Sequence, residues 1–389
     1  MDPARHPVSH PAEAWAELRD QHPVAWCELE QGKGFWVISR YADIAALHRD
    51  TVRLSSRRGN VVQTVLAGGD SAGGRMLVVT DPPRHTEVRR ILQRAFTRQA
   101  MAQLSEILAG ATRQAVADLV AKGGGDFATE VAAKVPAIAM CELFAVPEPA
   151  RPRMLELTMA AMGTEATDAS PPQAAAAAKR ELLEYFSDLL TARREQPGTD
   201  LVSLMAAGRS GADSLTDAEI LLNCYNIIVG GDETTRFSSS GAALAFTQFP
   251  GQWQRIREDE ETIDAAVEEI FRWTTPATHV ARTATSEIEL HGVRILAGDV
   301  VTLWNRSANR DGTVFTDPYA FDVSRAANKH LALGHGPHFC LGAPLARLEL
   351  GLLLRELRAQ VVELWVDGPV EYIESSVLAG IRHLPVKVR

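Results

Sequence analysis

The chain has 389 residues, a formal net charge of −9 and a pI near 5.7. This acidic balance argues against nucleic acid as a partner, because phosphate binding needs a concentrated basic surface. The four cysteines are far apart and include no CxxC pair, which argues against a disulfide framework or a zinc site and fits a reducing compartment. Residues 1–18 are polar and charged, so they predict neither a signal peptide nor a membrane anchor, and we expect a cytoplasmic protein.

Strand patterns in the sequence are few and short. Residues 34–39 and 300–303 carry the aromatic and β-branched side chains that favour strands. Residues 67–74 and 163–172 lack periodicity, so we expect mobile loops there. The sequence therefore predicts only small sheets.

Helical periodicity covers most of the chain. Apolar side chains recur at helical spacing in five segments, residues 100–120, 127–144, 151–162, 173–193 and 343–359. The run Ala174–Ala178 has the highest helix propensity available, and its helix continues through Leu182 and Phe186. No linker separates these segments. We expect a mainly α fold with small β-sheets, built as one domain over residues 1–389.

The longest predicted helix begins near Ser214 or Thr216 and ends before Pro250. Thr216 and Glu219 have the spacing of a capping box. A helix of this length spans roughly 50 Å and should run through the core. Its middle, residues 230–235, reads Gly-Gly-Asp-Glu-Thr-Thr, and the two glycines cost about 2 kcal/mol against alanine. A flat cofactor lying against the helix would explain this composition, and close packing of another element is the alternative.

A second motif is Glu269-Ile270-Phe271-Arg272, whose charged residues are three apart and share one helix face. On spacing alone the two charges read as an ordinary surface pair, which contributes little to stability.

The segment that carries most information is residues 330–344, which surrounds Cys340 with three glycines and two prolines. Glycines allow torsions and close approaches that a Cβ would block, and Pro337 stiffens the turn, so Cys340 is predicted on a rigid hairpin. Pro344 lies near the start of an apolar helix pattern, and a helix N-terminus favours the thiolate form that binds metals. An ordinary buried cysteine is the alternative.

This segment closely resembles the haem-binding loop of the cytochrome P-450 superfamily, with the pattern Phe-Gly-x-Gly-x-(His/Arg)-x-Cys-x-Gly. Leu333 departs from it, because the family usually has Phe there. Residues 230–235 match the family's distal-helix pattern, (Ala/Gly)-Gly-x-(Asp/Glu)-Thr-(Thr/Ser). The Glu269-to-Arg272 motif lies about seventy residues before Cys340, as the family's Glu-x-x-Arg does. The resemblance covers nearly the whole chain and implies the cytochrome P-450 fold, with haem between the long distal helix and the proximal loop.

The resemblance implies a role for each matching residue. Cys340 is the metal ligand and binds the iron of haem b, while Glu233 and Thr234 are the catalytic acid–alcohol pair that relays protons. Asp232 occupies the variable position and has no assigned role. The remaining predicted cofactor contacts are Gly230 and Gly231 on the long helix and, for the haem propionates, His85, Arg89, Arg282 and His338. A third group, Glu269, Arg272 and Arg325, is structural and braces the loop that carries Cys340.

The function implied is a bacterial-type monooxygenase that inserts one oxygen atom of O₂ into a small molecule, with a secondary metabolite as our interpretation. Electrons would come from a ferredoxin and its reductase, docking near a basic patch of Arg90, Arg94, Arg347 and Arg355. We expect a monomer, with no nucleic-acid or membrane partner. A peroxygenase, an oxidative coupling enzyme and a non-catalytic haem sensor are the alternatives. The candidate pocket walls are residues 61–66, 158–172, 226–227, 278–280 and 376–379.

Overall fold

A computed structural model describes residues 12–29, 33–162, 172–208 and 214–389. In these ranges the chain is mainly helical with small sheets, as predicted. The loop predicted at residues 163–172 lies, apart from Pro172, outside the described residues. None of the described helices is long and apolar enough to cross a membrane.

The described strands lie in the first third of the chain and after α12, and the described elements between these two regions are helices. The described helices are α1 (Ala12–Gln21), α2 (Tyr41–Arg49), α3 (Val62–Leu66), α4 (Arg84–Leu92), α5 (Arg98–Ala121), α6 (Lys134–Leu143), α7 (Arg151–Met162), α8 (Pro172–Glu195), α9 (Leu201–Ala206), α10 (Asp217–Gln248), α11 (Pro250–Glu258), α12 (Ile263–Thr274), α13 (Asn305–Ala308) and α14 (Ala343–Gln360). The described strands are β1 (Val24–Glu28), β2 (Gly34–Ile38), β3 (Leu54–Ser55), β4 (Gly124–Asp126), β5 (Val280–Ala284), β6 (Ile288–Leu290), β7 (Val293–Ile295), β8 (Val300–Leu303), β9 (Leu364–Val366), β10 (Glu371–Tyr372), β11 (Ile381–His383) and β12 (Pro385–Val388).

The chain divides into two compact units. The first unit comprises residues 1–86, 268–340 and 374–379, and the second comprises residues 87–267, 341–373 and 380–389. The first unit holds the larger sheet and the Cys340 segment. The second unit holds most of the long helices.

The first unit is built on a sheet with the strand order β1-β2-β8-β5-β3. β2 and β8 pair in parallel, and the other neighbours are antiparallel. Successive side chains on a strand point to opposite faces, so the sheet separates two apolar clusters. Ile38 and Val301 pack into a cluster with α2, whereas Val37 and Val300 pack into a cluster with α3. Both faces are therefore covered, and β5 and β8 are held in a fixed register.

The second unit packs its helices around α10. This helix has 32 residues, and Thr216 and Glu219 form the predicted capping box at its start. It contacts α6, α7, α8 and α14. A small sheet of β4, β12 and β9 lies in the same unit.

One of the two glycines in α10 has a packing reason. A Cβ on Gly231 would come within 2.6 Å of Met140 Sδ on α6, so a larger residue would force the Met140 side chain to move. The alternative explanation from the sequence, close packing, thus applies to Gly231. A Cβ on Gly230 would meet no heavy atom of the described residues within 4 Å.

Candidate functional site

Cys340 ends a short hairpin in the first unit. The Cys340 amide donates to Leu333 O at 2.8 Å, and the Gly334 amide donates to Leu331 O at 2.9 Å. Gly336 adopts a φ of +67°, and a Cβ there would lie 2.8 Å from His48 O. These contacts confirm the predicted rigid hairpin, and Leu333 serves it through its backbone oxygen. None of the four cysteines, all of which are described, forms a disulfide.

Polar side chains predicted to hold the propionates lie together in the first unit. The ring centroids of His85 and His338 are 4.2 Å apart, and His85 is fully buried at the start of α4. Arg282 lies on β5 and is also buried. Burial lowers its pKa to about 10, and the Asp81 carboxylate opposes that shift. This imidazole and guanidinium chemistry suits carboxylate groups.

Arg89 is one turn after His85 on α4, where the helix has passed into the second unit. The two residues are four apart, so they share one face of the helix, as the sequence predicts. Arg89 is half-buried.

The Glu269 carboxylate is the centre of a buried network in the first unit. Arg272 donates to both its oxygens at 2.7 Å, and Arg325 Nε donates to Oε2 at 3.1 Å. Glu269 and Arg272 are each 0 % exposed. The other Arg272 donors reach the backbone oxygens of Asn309, Pro318 and Ala320 at 2.8–2.9 Å. The surface-pair alternative is therefore wrong, and the pair fastens the loop of residues 309–328.

Asn309 continues this network towards the cysteine hairpin. Its side-chain oxygen accepts from the Leu331 amide at 2.7 Å, and its Nδ2 donates to Thr275 Oγ1 at 2.8 Å. Because Leu331 O in turn accepts from Gly334, hydrogen bonds lead from the buried pair to the hairpin.

In the second unit, the middle of α10 has one open face. Asn226, Gly230 and Thr234 are four apart and share a face, and none of them is buried, although Ile228 and Asp232 nearby are. At Gly230 this face is open, because a Cβ there would meet no heavy atom of the described residues within 4 Å.

Glu233 and Thr234, the predicted acid–alcohol pair, have different hydrogen-bond partners. Thr234 Oγ1 donates to Gly230 O at 3.0 Å, one turn earlier. The Glu233 carboxylate is fully buried, and its Oε1 lies 3.5 Å from Arg236 Nη1. Adjacent residues on a helix project about 100° apart, which accounts for this separation.

Two buried acids were missed by the sequence analysis. Asp232 is 3 % exposed, and its Oδ1 has no hydrogen-bond partner among the described residues. Burial, and then the neighbouring Glu233, raises the pKa of Asp232 to about 7. Glu349 on α14 is also buried, and burial and Asp232 raise its pKa well above the usual range. One signal was present, because Glu349 stands between Leu345 and Leu353 on the apolar face of α14.

Three predicted pocket segments meet in the first unit. Gln63 Nε2 donates to Ser376 Oγ, and the Thr278 hydroxyl donates to Val377 O at 2.9 Å. Asn226 and Ile227 lie in the second unit. The remaining segment, residues 158–172, is described only to residue 162 and again at Pro172.

Each unit, considered separately, has features that suit the binding of a haem group. The first unit supplies a cysteine on a hydrogen-bonded hairpin and, for carboxylates, the buried His85 and Arg282 and the half-buried His338. The second supplies a helix face left open at Gly230. Cysteine thiolate is an established axial ligand of haem iron.

Comparison with known proteins gives one consistent result. The family model described as "Cytochrome P450" matches residues 173–358. The chain is 40% identical over 387 residues to cytochrome P450 NovI of Streptomyces niveus, covering 99% of this chain and 95% of the relative. It is 31% identical to the steroid C26-monooxygenase of Mycolicibacterium smegmatis, covering 97% of this chain and 90% of that protein.

A solved structure agrees with the sequence matches. The crystal structure of P450 OxyD, a protein involved in the biosynthesis of vancomycin-type antibiotics, superposes with a TM-score of 0.88 at 32% identity. The match covers 99% of this chain and 98% of the other.

Proposed function

Because this chain belongs to the cytochrome P450 family and is a P450 monooxygenase, we propose that Cys340 is its haem ligand and that its substrate is a small secondary metabolite. The observation that carries the ligand assignment is the hairpin that ends at Cys340 and is tied by hydrogen bonds to the Glu269 network. A metal ligand needs a fixed direction, and this network supplies it.

The other site residues divide between holding the cofactor and moving protons. His85, Arg89, Arg282 and His338 hold the two carboxylates of the haem. A thiolate-bound haem supplies O–O cleavage chemistry when bound.

Protons reach the reaction through Thr234 and Glu233. A threonine hydroxyl both donates and accepts, so Thr234 Oγ1 can leave Gly230 O and pass a proton on. The Glu233 carboxylate lies 3.5 Å from the Arg236 guanidinium, which can hold it in position.

The substrate class is assigned from the relatives, and the electron donor from the family resemblance. OxyD is involved in antibiotic biosynthesis, which supports a secondary metabolite as the substrate class. Its P450 structure matches 99% of this chain. We treat residues 1–389 as one catalytic domain, and we assign the electrons to a ferredoxin and its reductase, as the resemblance implies.

Cys340→Ser tests the ligand assignment. An alcohol stays protonated at neutral pH and binds ferric iron weakly, so the reduced protein should lose the far-red-shifted carbon monoxide spectrum of a thiolate-bound haem. Cys27→Ser is the matched control, since Cys27 is also half-buried in the first unit, and it should keep that spectrum. An unchanged spectrum in Cys340→Ser would refute the assignment.

The substrate class is tested with the wild-type enzyme. A library of secondary metabolites is screened for the spin-state change that follows substrate binding, and each hit is incubated with ferredoxin, its reductase and NADPH. We expect a product that carries one oxygen atom from labelled O₂. Turnover with peroxide alone and none with reductant would instead identify a peroxygenase.

A further inference from the structure

The residues that hold His338 in place form a small hydrogen-bonded group within the first unit. Ser56 Oγ lies 3.2 Å from His338 Nε2, and the Ser56 amide donates to Asp81 Oδ1 at 2.8 Å. Asp81 Oδ2 accepts from the Ser55 hydroxyl at 2.5 Å. Ser56 is 1 % exposed, so water does not compete for its hydroxyl.

Asp81 also connects to the other predicted carboxylate contacts. Its backbone oxygen accepts from the His85 amide at 3.1 Å and so fixes the first turn of α4. Its carboxylate interacts electrostatically with Arg282 on β5. The pairing of Ser55 with Thr283 holds β3 beside the same strand. Asp81 therefore lies at the junction of three groups that the site needs in fixed positions.

The other partners of Ser56 indicate which residue donates in the Ser56–His338 hydrogen bond. The Asp81 carboxylate accepts from the Ser56 amide. Among the described residues, the Ser56 hydroxyl forms a hydrogen bond only with His338. The hydroxyl proton is satisfied when it is donated to His338 Nε2. A neutral imidazole that accepts at Nε2 carries its proton on Nδ1, so this ring is left with one defined donor.

We propose that Ser56, held by Asp81, is a positioning residue that fixes the ring orientation and tautomer of His338 for a haem carboxylate. This inference rests on the proposed function for the identity of the group that His338 holds. The Ser56–His338 bond itself does not depend on it.

The chain offers a matched control for this proposal. Ser55 and Ser56 are neighbours, and both bond to Asp81, but only Ser56 reaches His338. Ser56→Ala should speed haem transfer to apomyoglobin about fivefold, which is in the range for loss of one hydrogen bond. Its midpoint potential should also fall, because a carboxylate that His338 holds less firmly favours ferric iron. Ser55→Ala should leave the transfer rate and the potential unchanged.

A double-mutant cycle shows whether Ser56 acts through His338. In a His338→Asn background, Ser56→Ala should add no further change in haem transfer. Equal effects of the two serine variants, or a full Ser56→Ala effect without His338, would overturn the proposal. If Ser56→Ala does not fold, Ser56→Cys keeps the volume and a weaker donor, and it should give a smaller effect in the same direction.

A separate readout distinguishes this proposal from the proposed function. The ¹⁵N shifts of the His338 imidazole in the diamagnetic ferrous carbon monoxide complex report the tautomer directly. We expect protonated Nδ1 and accepting Nε2 in the wild type and a changed pattern in Ser56→Ala. If the wild type binds no thiolate-ligated haem, the proposed function fails, and the same shifts measured on the purified chain still test the Ser56–His338 bond. An unchanged pattern in Ser56→Ala overturns it.

Discussion

Asp232 is a buried acid within α10, the helix that carries the proposed proton-relay residues Glu233 and Thr234. Its pKa of about 7 results from burial and from Glu233, opposed by Arg236, and Glu349 lies near enough to interact with it. An ordinary aspartate in the unfolded chain titrates near 3.9. The folded protein therefore binds the Asp232 proton more tightly than the unfolded chain does.

This difference fixes the sign of a pH effect on stability. A raised folded-state pKa gives stability that is complete below about pH 4 and is lost as the pH rises through about 7. Asp232→Asn cannot ionise, so its melting temperature should fall less than that of the wild type between pH 5 and 8, and it should exceed the wild type at pH 8. Asp188→Asn, an exposed change on α8, is the control and should follow the wild-type profile. Parallel profiles for Asp232→Asn and the wild type would contradict the assigned shift.

Thr234 is the second residue whose role can be measured alone. Thr234→Ala should keep the haem, the thiolate spectrum and substrate binding, since none of these needs the hydroxyl. Without a group that both donates and accepts, reductant consumption should continue while product falls and hydrogen peroxide rises. The measurement is product formed per NADPH consumed. Thr235→Ala, the neighbouring buried threonine, is the control, and equal coupling in Thr234→Ala and the wild type would assign the relay to another group.

Single residues differ in how far the sequence predicts them. Cys340 stands in a motif of glycines and proline, and the hairpin follows from their backbone preferences. Asp232 and Glu349 could not be placed in the same way, because an acid inside a helix usually marks the solvent face. Their burial depends on where α10 and α14 contact one another, which is a property of the tertiary packing.

At the scale of elements, the network around Glu269 joins α12 to the loop that precedes the cysteine hairpin. Both partners are fully buried, so removing one leaves an uncompensated charge, at a cost of about 3–5 kcal/mol. Glu269→Ala or Arg272→Ala should therefore lower the melting temperature strongly and give protein with little haem. The measurements are thermal melting and the ratio of haem absorbance to protein absorbance.

A surface pair with the same spacing provides the control for the buried one. Arg153 and Glu156 are also three apart and 3.0 Å from each other, but their side chains are 57 % and 63 % exposed. Glu156→Ala should change melting and haem content little, because water and salt screen such a pair. Similar losses in Glu269→Ala and Glu156→Ala would show that burial is not the cause.

Elements with strong periodicity were predicted well, and elements that depend on distant partners were not. The five predicted helical segments correspond to α5, α6, α7, α8 and α14, with the second also containing a π-helical turn at Ala128–Ala132. β4 is Gly124–Asp126, a glycine-rich stretch without strand propensity, and it forms because β12 lies beside it from the other end of the chain. The residues of β4 alone do not predict that it will pair with β12.

At the scale of the whole molecule, the four arginines that the sequence predicts as a basic patch on this acidic protein all belong to its second unit. Arg90 is exposed in the last turn of α4, and Arg94 is exposed just after that helix ends. Arg347 is half-buried on α14. Arg355 was predicted in the same patch, but Glu260 and Asp264 lie 3.7 and 3.8 Å from its guanidinium and offset its charge. The test of this patch therefore uses Arg94 and Arg347 rather than Arg355.

The predicted basic patch leads to a prediction about the rate of reduction by ferredoxin. Positive side chains attract an acidic ferredoxin and raise the rate of encounter, an effect that salt screens. Arg94→Glu combined with Arg347→Glu should slow ferredoxin-supported reduction about tenfold at low salt and weaken its salt dependence. Stopped-flow measurement of the ferrous carbon monoxide complex gives the rate.

Two controls separate docking from damage to the site. Reduction by dithionite needs no docking, so its rate should be the same in the double variant and the wild type. Arg180→Glu reverses an exposed arginine on α8, a helix that packs against α7, α9 and α10. Because this change alters the net charge by two without touching the patch, ferredoxin reduction should stay near the wild-type rate. If Arg180→Glu slowed reduction as much as a single reversal at Arg94 did, the slower reduction would result from the change in net charge. The donor would then dock elsewhere.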